Sequence, residues 1–242
     1  MRIKTLLPIV FCLASLSISA QDFQQDIIET VGGDLKITFI GHGTLMFEYQ
    51  DKVIHIDPWS KLADYSKLPK ADAILITHEH GDHLDPSAIK AIEKEGTEIF
   101  LTKKCYDIIK KGKVLKNGDY TAVAGFPVEA VPAYNRLAKK GNGKPYHPKG
   151  EGNGYVINFS TTRVYVAGDT EYVPEMENLL DITVAFLPMN LPYTMEPQLV
   201  AICAQIIKPK ILYPYHFGET VTEDLVKMLL GSGIDVRIRS MK

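Results

Sequence analysis

Cysteine is scarce in this 242-residue chain: Cys12, Cys105 and Cys203 are the full set, and none stands in a CxxC or similar zinc-thiolate spacing. That excludes a disulfide-rich scaffold and a cysteine-built metal site. A GxSxG elbow is also missing, so nothing signals the serine nucleophile of an α/β-hydrolase. Charge of one sign is not in excess; a formal net of −2 calls for no nucleic-acid partner. No linker and no short-period repeat divides the chain, and its 45% hydrophobic content suits one large α/β domain.

Residues 1–20, MRIKTLLPIVFCLASLSISA, differ from the rest. Arg2 and Lys4 precede an apolar stretch from Leu6 to about Leu16, and small residues lead to Ala20. That is the order of a secretory signal peptide, and the apolar stretch is short for a membrane span. The expected product is a periplasmic or secreted domain over residues 21–242, without a stable membrane span. Cleavage there removes Cys12. Cys105 and Cys203 sit in hydrophobic surroundings and are expected as buried thiols, although an oxidising compartment would permit a bridge.

Short β-rich runs alternate with helical stretches. Strands are expected at 35–40, 44–50, 52–57 and 71–77, the last a nearly continuous apolar run suited to burial on both faces. A helix follows, with Asp85 as N-cap, Pro86 at its first position and Gly96 at its end. In the second half YTAVAGFPVEAVPA, GYVINFS, TRVYVAGD, ITVAFLP and ILYPYH read as strands. MEPQLVAICAQIIKP and TEDLVKMLLGSG read as amphipathic helices. The long irregular segment 136–154 is rich in Gly, Pro and Lys, and a loop of that length in a compact domain is usually functional or disordered.

The chemistry concentrates in THEHGDHLD, residues 77–85. His78 and His80 share an orientation on extended backbone, and a turn through Gly81 can aim Asp82 and His83 at the same point. Neutral imidazoles with a carboxylate suit zinc and similar divalent metals. A solvated polar turn is the plain alternative.

THEHGDHLD resembles the HxHxDH signature of the metallo-β-lactamase superfamily, whose fold is a four-layer αββα sandwich. VAGDT (166–170) and YPYHFG (213–218) are similar to its later metal-binding segments. The resemblance implies that His78 and His80 hold a first metal. Asp82, His83 and His216 would hold a second, with Asp169 bridging. The divalent ion expected is Zn2+, with Mn2+, Fe2+ or Ni2+ as alternatives, one or two per chain. One family ligand is missing: the strand end that should carry a further histidine reads VPAYNR, with Tyr134 and Asn135. Asn135 as an oxygen ligand, a loosely held or absent first metal, and His147 folding back from the long loop are all open; the reading favours His147, with substrate contact as a further role.

GHGTLMFEY (41–49) and HIDPW (55–59) resemble the branch that includes L-ascorbate-6-phosphate lactonases and N-acylphosphatidylethanolamine phospholipase D-like hydrolases. There His42 would sit near the metals and Asp57 would orient a ligand histidine. The implied activity is metal-assisted hydrolysis of a small ester, lactone or phosphoester, with Asp82 binding metal and orienting the attacking water. Arg136, Lys139, Lys140, Lys144 and Lys149 are candidates for steering an anionic substrate, and LPYTMEP (191–197) for a pocket wall. A true β-lactamase and a non-catalytic metal-binding or sensing protein on the same fold are the competing readings.

Overall fold

The computed structural model describes residues 22–241; residues 1–20, expected to be a signal peptide, lie outside them. The first half forms the strands Gln24–Thr30 (β1), Gly33–Gly41 (β2), Thr44–Tyr49 (β3), Lys52–Ile56 (β4), Ala73–Leu75 (β5), Glu98–Leu101 (β6) and Lys113–Val114 (β7). They pair in that order as one sheet. The second half forms Tyr120–Val123 (β8), Phe126–Ala133 (β9), Gly152–Phe159 (β10), Thr162–Val166 (β11), Val184–Pro188 (β12), Ile211–Tyr215 (β13) and Asp235–Val236 (β14). These also pair in chain order. Each sheet repeats one plan. Four antiparallel strands, joined by short turns except for the long loop 134–151 between β9 and β10, are followed by three parallel ones reached through crossovers.

The sheets stack because each turns an aromatic face inward. Phe39 meets Tyr213 at 4.9 Å, Tyr49 meets Phe159 at 5.3 Å and Phe47 meets Phe186 at 6.0 Å between ring centroids. The helices Pro86–Ile92 (α1) and Lys103–Ile109 (α2) lie on the other face of the first sheet. They enclose a second apolar cluster with Ile74, Ile76, Ile99 and Leu101. This explains the continuous apolar run at 71–77: Ala73 and Leu75 face the inter-sheet core while Ile74 and Ile76 face the helices. On the second sheet Pro197–Ile207 (α3) buries Val200, Cys203, Ala204 and Ile207, with Glu223–Met228 (α4) beside it. The result is the αββα order.

Two expectations need correction. α1 ends at Ile92 rather than running to Gly96, because Ala71 N–H takes the Ile92 carbonyl (2.8 Å) and Thr97 Oγ1 binds the Ala71 carbonyl (2.7 Å). Those bonds turn the chain into β6 before another helical turn can form. The second concerns Gln24–Thr30, which the sequence reading passed over: it is an edge strand, half exposed, with alternation too weak to register. Cys105 and Cys203 are both buried free thiols, as expected. Among the described residues no helix is long and apolar enough to cross a membrane.

Candidate metal centre

The site forms at one edge of the sandwich, where strands of both sheets end. β5 runs out at Leu75, and its extension is held by Asn153 N–H on the Thr77 carbonyl (2.9 Å). A helical turn follows, with His83 and Leu84 N–H groups on the His80 carbonyl (3.0 and 2.8 Å), and brings Asp82 and His83 back over the strand end. Asp85 then caps α1 by accepting Ser87 N–H at 2.8 Å. His42 projects from the β2–β3 turn, Asp57 from the end of β4, Asp169 after β11 and His216 after β13. His216 N–H binds the His42 carbonyl at 2.9 Å, which ties the two sheets together at the site.

His78, His80 and His147 form one donor set. His80 Nδ1 lies 3.1 Å from His78 Nε2 and 3.2 Å from His147 Nε2. Nitrogens held ~2.1 Å from a tetrahedral ion stand ~3.4 Å apart, so this spacing fits a shared cation. Asp169 Oδ2 is 3.3 Å from His147 Nε2 and 3.9 Å from His78 Nε2.

Asp82, His83, His216 and His42 gather beside that set. Asp82 Oδ2 is 3.1 Å from His42 Nε2, 3.5 Å from His216 Nε2 and 3.7 Å from His83 Nε2. Asp169 reaches this side too, at 3.6 Å from both His83 Nε2 and His216 Nε2. His42 was expected only near the metals; here its ring lies against that of His216, with centroids 3.7 Å apart. Asp169 thus touches both groups, the position a bridging carboxylate needs. His83 Nε2, His216 Nε2 and Asp169 Oδ1 are buried without any hydrogen-bond partner. Buried polar atoms of this kind are normally satisfied, so a cation among them is the fitting occupant.

The ligand imidazoles are aimed by the residues behind them. Asp57 accepts from His83 Nδ1 at 2.7 Å, from Thr77 Oγ1 at 2.6 Å and from Thr77 N–H at 2.7 Å. Thr77 Oγ1, its proton committed to Asp57, accepts from His78 Nδ1 at 3.0 Å. Asn135 Oδ1 accepts from His147 Nδ1 at 2.7 Å. Each contact leaves an Nε2 lone pair facing the centre. Glycine is required close by, since a Cβ on Gly43 would stand 2.8 Å from His83 Cε1.

Electrostatics agree with a cation site. Burial, reinforced by His83, drives the His78 pKa well below the usual imidazole value, and burial with His147 lowers that of His80. Both are neutral, as ligands must be. Burial would also lower His83, yet the Asp169 and Asp57 carboxylates reverse this and push it up to about 9. Burial would raise Asp169 and Asp82, but His216 and His83 hold the first well below the carboxylate range, and His216 and His42 hold the second there. Three carboxylates around His83 draw positive charge into the cage.

A cleft of about 720 Å³ opens over these residues, within the range of small-molecule sites. Its walls add Trp59, Lys61, Lys140, Tyr146, Asn190 and Tyr193. Of the loop cations expected to steer substrate, Lys140 lines the cleft, whereas Lys149 pairs with Glu175 at 2.8 Å and Arg136 covers the Tyr172 ring. LPYTMEP is divided: Tyr193 reaches the cleft and Met195 is buried in the core. Tyr134 approaches the site only through its backbone, and its hydroxyl donates to Glu175 at 3.0 Å. His147 lines the cleft, with one ring nitrogen held by Asn135 and the other turned toward His80 and Asp169. The seventh histidine, His55, stays outside the site; burial lowers its pKa to about 4 and it bonds the Pro69 carbonyl. Trp59 stood within HIDPW, but Lys61, Tyr146 and Asn190 carried no sequence signal.

Comparison with known proteins agrees with this geometry. Residues 36–216 match the β-lactamase superfamily domain. The chain is 31% identical over 190 residues to a UPF0173 metal-dependent hydrolase of Nanoarchaeum equitans, covering 76% of this chain and 84% of that one. A crystal structure of a metal-dependent hydrolase from Parabacteroides distasonis is 52% identical, with a TM-score of 0.88 over 91% of this chain and 100% of the other. Igni18, a metallo hydrolase of Ignicoccus hospitalis, shares the fold at 24% identity, with a TM-score of 0.71 over 86% and 96% of the two chains. An αββα sandwich with a His/Asp cage at its edge is the mark of the metallo-β-lactamase superfamily. This chain belongs to it, and like its UPF0173 relatives it is a metal-dependent hydrolase.

Proposed function

We propose that the protein is an exported hydrolase that uses Zn2+ to open a small anionic ester, lactone or phosphoester. The observation that carries this reading is His147. It stands where the expected family histidine is missing and closes a three-imidazole set with His78 and His80. A three-imidazole set weighs against a loosely held or absent first ion, the alternative that the vacancy in VPAYNR leaves open. In this reading His78, His80 and His147 hold the first ion, Asp82, His83 and His216 the second, and Asp169 lies between them. Mn2+, Fe2+ and Ni2+ suit the same imidazole and carboxylate donors and form the natural comparison set.

Bound divalent ions would supply an activated water at neutral pH and polarise the oxygen under attack. The chain's own groups do the rest. Asp82 is only partly buried and faces the cleft, so its carboxylate can accept a hydrogen bond from the water and orient it, with His42 Nε2 3.1 Å away to fix the carboxylate. Lys61 and Lys140 draw an anionic substrate inward, and Trp59, Tyr146 and Tyr193 give it apolar walls. The partner is a small molecule rather than nucleic acid or membrane. Export rests on the leader-like residues 1–20 and is tested by the N-terminal sequence of the protein recovered from the periplasm or medium.

Elemental analysis of the purified protein, with a panel of lactones, phosphoesters, carboxyl esters and β-lactams, tests the reading. The expected result is at least one equivalent of transition metal and hydrolysis that His78→Ala abolishes. Metal-free protein with full activity would sink the proposal, and metal without turnover on any member would sink its substrate class.

A further inference from the structure

We propose that Asn135 is a positioning residue: it converts a histidine on a long loop into a fixed ligand of the first ion and ties that ion to the substrate wall. The inference rests on the metal-centre reading above. A loop imidazole must lose its rotamer freedom before it can bind an ion at full strength. Asn135 removes that freedom with three bonds to a residue twelve positions away. Its Oδ1 accepts from His147 N–H at 2.7 Å and from His147 Nδ1 at 2.7 Å, and its own N–H binds the His147 carbonyl at 2.8 Å.

The orientation of the Asn135 amide is forced. Its Nδ2 donates to the Tyr193 carbonyl at 2.9 Å. Rotating the amide by half a turn would set the NH2 against the His147 N–H and the oxygen against the Tyr193 carbonyl, so both contacts would turn repulsive. Only one tautomer of His147 satisfies this arrangement, with the proton on Nδ1 and the Nε2 lone pair facing His80 Nδ1 (3.2 Å) and Asp169 Oδ2 (3.3 Å). Asn135 is therefore not an oxygen ligand itself, because its single oxygen is already used twice. Next to it, the buried Glu171 carboxylate accepts the N–H groups of Arg136, Leu137 and Ala138, each at 2.7 Å, and anchors the start of the loop. Tyr193 in turn packs edge-on against Tyr146, with centroids 5.1 Å apart, and both line the cleft. One amide thus joins a metal ligand to the aromatic wall.

The test is Co2+ titration of the full chain, followed by visible absorption and by competition with a chelator. The melting temperature of the metal-free protein is recorded alongside. His147→Ala identifies the equivalent that depends on His147. Asn135→Leu should weaken that equivalent 10- to 100-fold, alter its Co2+ spectrum and leave the other equivalent near wild type, while the metal-free melting temperature falls because three buried hydrogen bonds are lost. Asn135→Asp can still accept both His147 N–H groups but turns an oxygen to the Tyr193 carbonyl, so it should bind the ion more tightly than Asn135→Leu and less tightly than wild type. Should the Leu variant fail to fold, Asn135→Asp is set against wild type: weaker Co2+ binding at the His147-dependent equivalent is expected, and wild-type affinity and spectrum there overturn the positioning role. Wild-type affinity and spectrum in Asn135→Leu, or no recovery in Asn135→Asp, overturns the positioning role alone. If the wild type takes up no ion, the metal-centre reading itself falls.

Discussion

Replacing Asp57 with asparagine perturbs the site while leaving its shape almost unchanged. Asp57 is 1% exposed, and its two oxygens accept three hydrogen bonds, from Thr77 N–H, Thr77 Oγ1 and His83 Nδ1. Asparagine offers one oxygen where the carboxylate offers two. With its NH2 in the Oδ1 place, a donor faces the Thr77 N–H. With its NH2 in the Oδ2 place, Thr77 Oγ1 must turn its proton toward His78 Nδ1, and His83 must move its own proton to Nε2. That second arrangement puts protons where the ion belongs. Either way at least one charge-assisted bond is lost, worth ~1.5–3 kcal/mol. Asp57→Asn should therefore lower the stability of the metal-free protein by ~2 kcal/mol, read by urea titration in chelator. Competition titration should show metal binding weakened ~10- to 100-fold, the usual cost of losing a partner behind a ligand. Stability within about 0.5 kcal/mol of wild type, together with unchanged metal affinity, would refute the claim that Asp57 aims His83 and Thr77.

Other predictions follow from the same contacts. Gly43→Ala should cost ~1–3 kcal/mol and reduce metal occupancy, because its Cβ would press on the pinned His83 ring at 2.8 Å. Gly81→Ala, inside the signature but with nothing within 4 Å of its Cβ, should bind metal like wild type, and equal behaviour of the two variants would contradict this packing account. Removing metal with a chelator should lower the melting temperature: an ion at 1,000 times its Kd contributes ~4 kcal/mol, or roughly 8–16 °C for a chain of this size. An unchanged melting curve would argue against a structural contribution from the ion. Far from the site, burial would raise the Asp26 pKa, but its hydrogen bonds to Arg239 (2.6–3.0 Å) and Tyr213 (2.5 Å) hold it below the usual value. The folded pKa is depressed, so this stabilisation is complete above the unfolded Asp value of ~3.9 and is lost as pH falls through the folded one. Asp26→Asn should flatten the acid limb of stability against pH, and a slope identical to wild type would remove Asp26 from that account.

The family resemblance pointed to Asp169 and His216 as partners of HxHxDH, and the structure brings both within 3.6 Å of His83 or Asp82. His147 is different: 67 positions separate it from His80, and no pattern in PYHPKG says which way the ring points. The vacancy in VPAYNR was legible, whereas its resolution was not, since Asn135 acts through an amide whose orientation depends on a carbonyl 58 residues away. Glu171 escaped notice for the same reason. A glutamate in DTEYVP carries no mark of three backbone donors arriving from another loop. The cleft walls are drawn from three separate loops, and residues such as Lys61 and Asn190 become neighbours only after the sheets stack.

Sequence alone determined most of the longer strands, though not Gln24–Thr30 or Glu98–Leu101, together with the buried character of 71–77 and the four donors between His78 and His83. Periodicity and turn chemistry act over a few residues, and those features are complete within that span. Tertiary structure decided which distant groups finish the centre and which tautomer each imidazole presents. Those outcomes depend on sheet stacking and loop closure, where a shift of an ångström separates a ligand from a bystander.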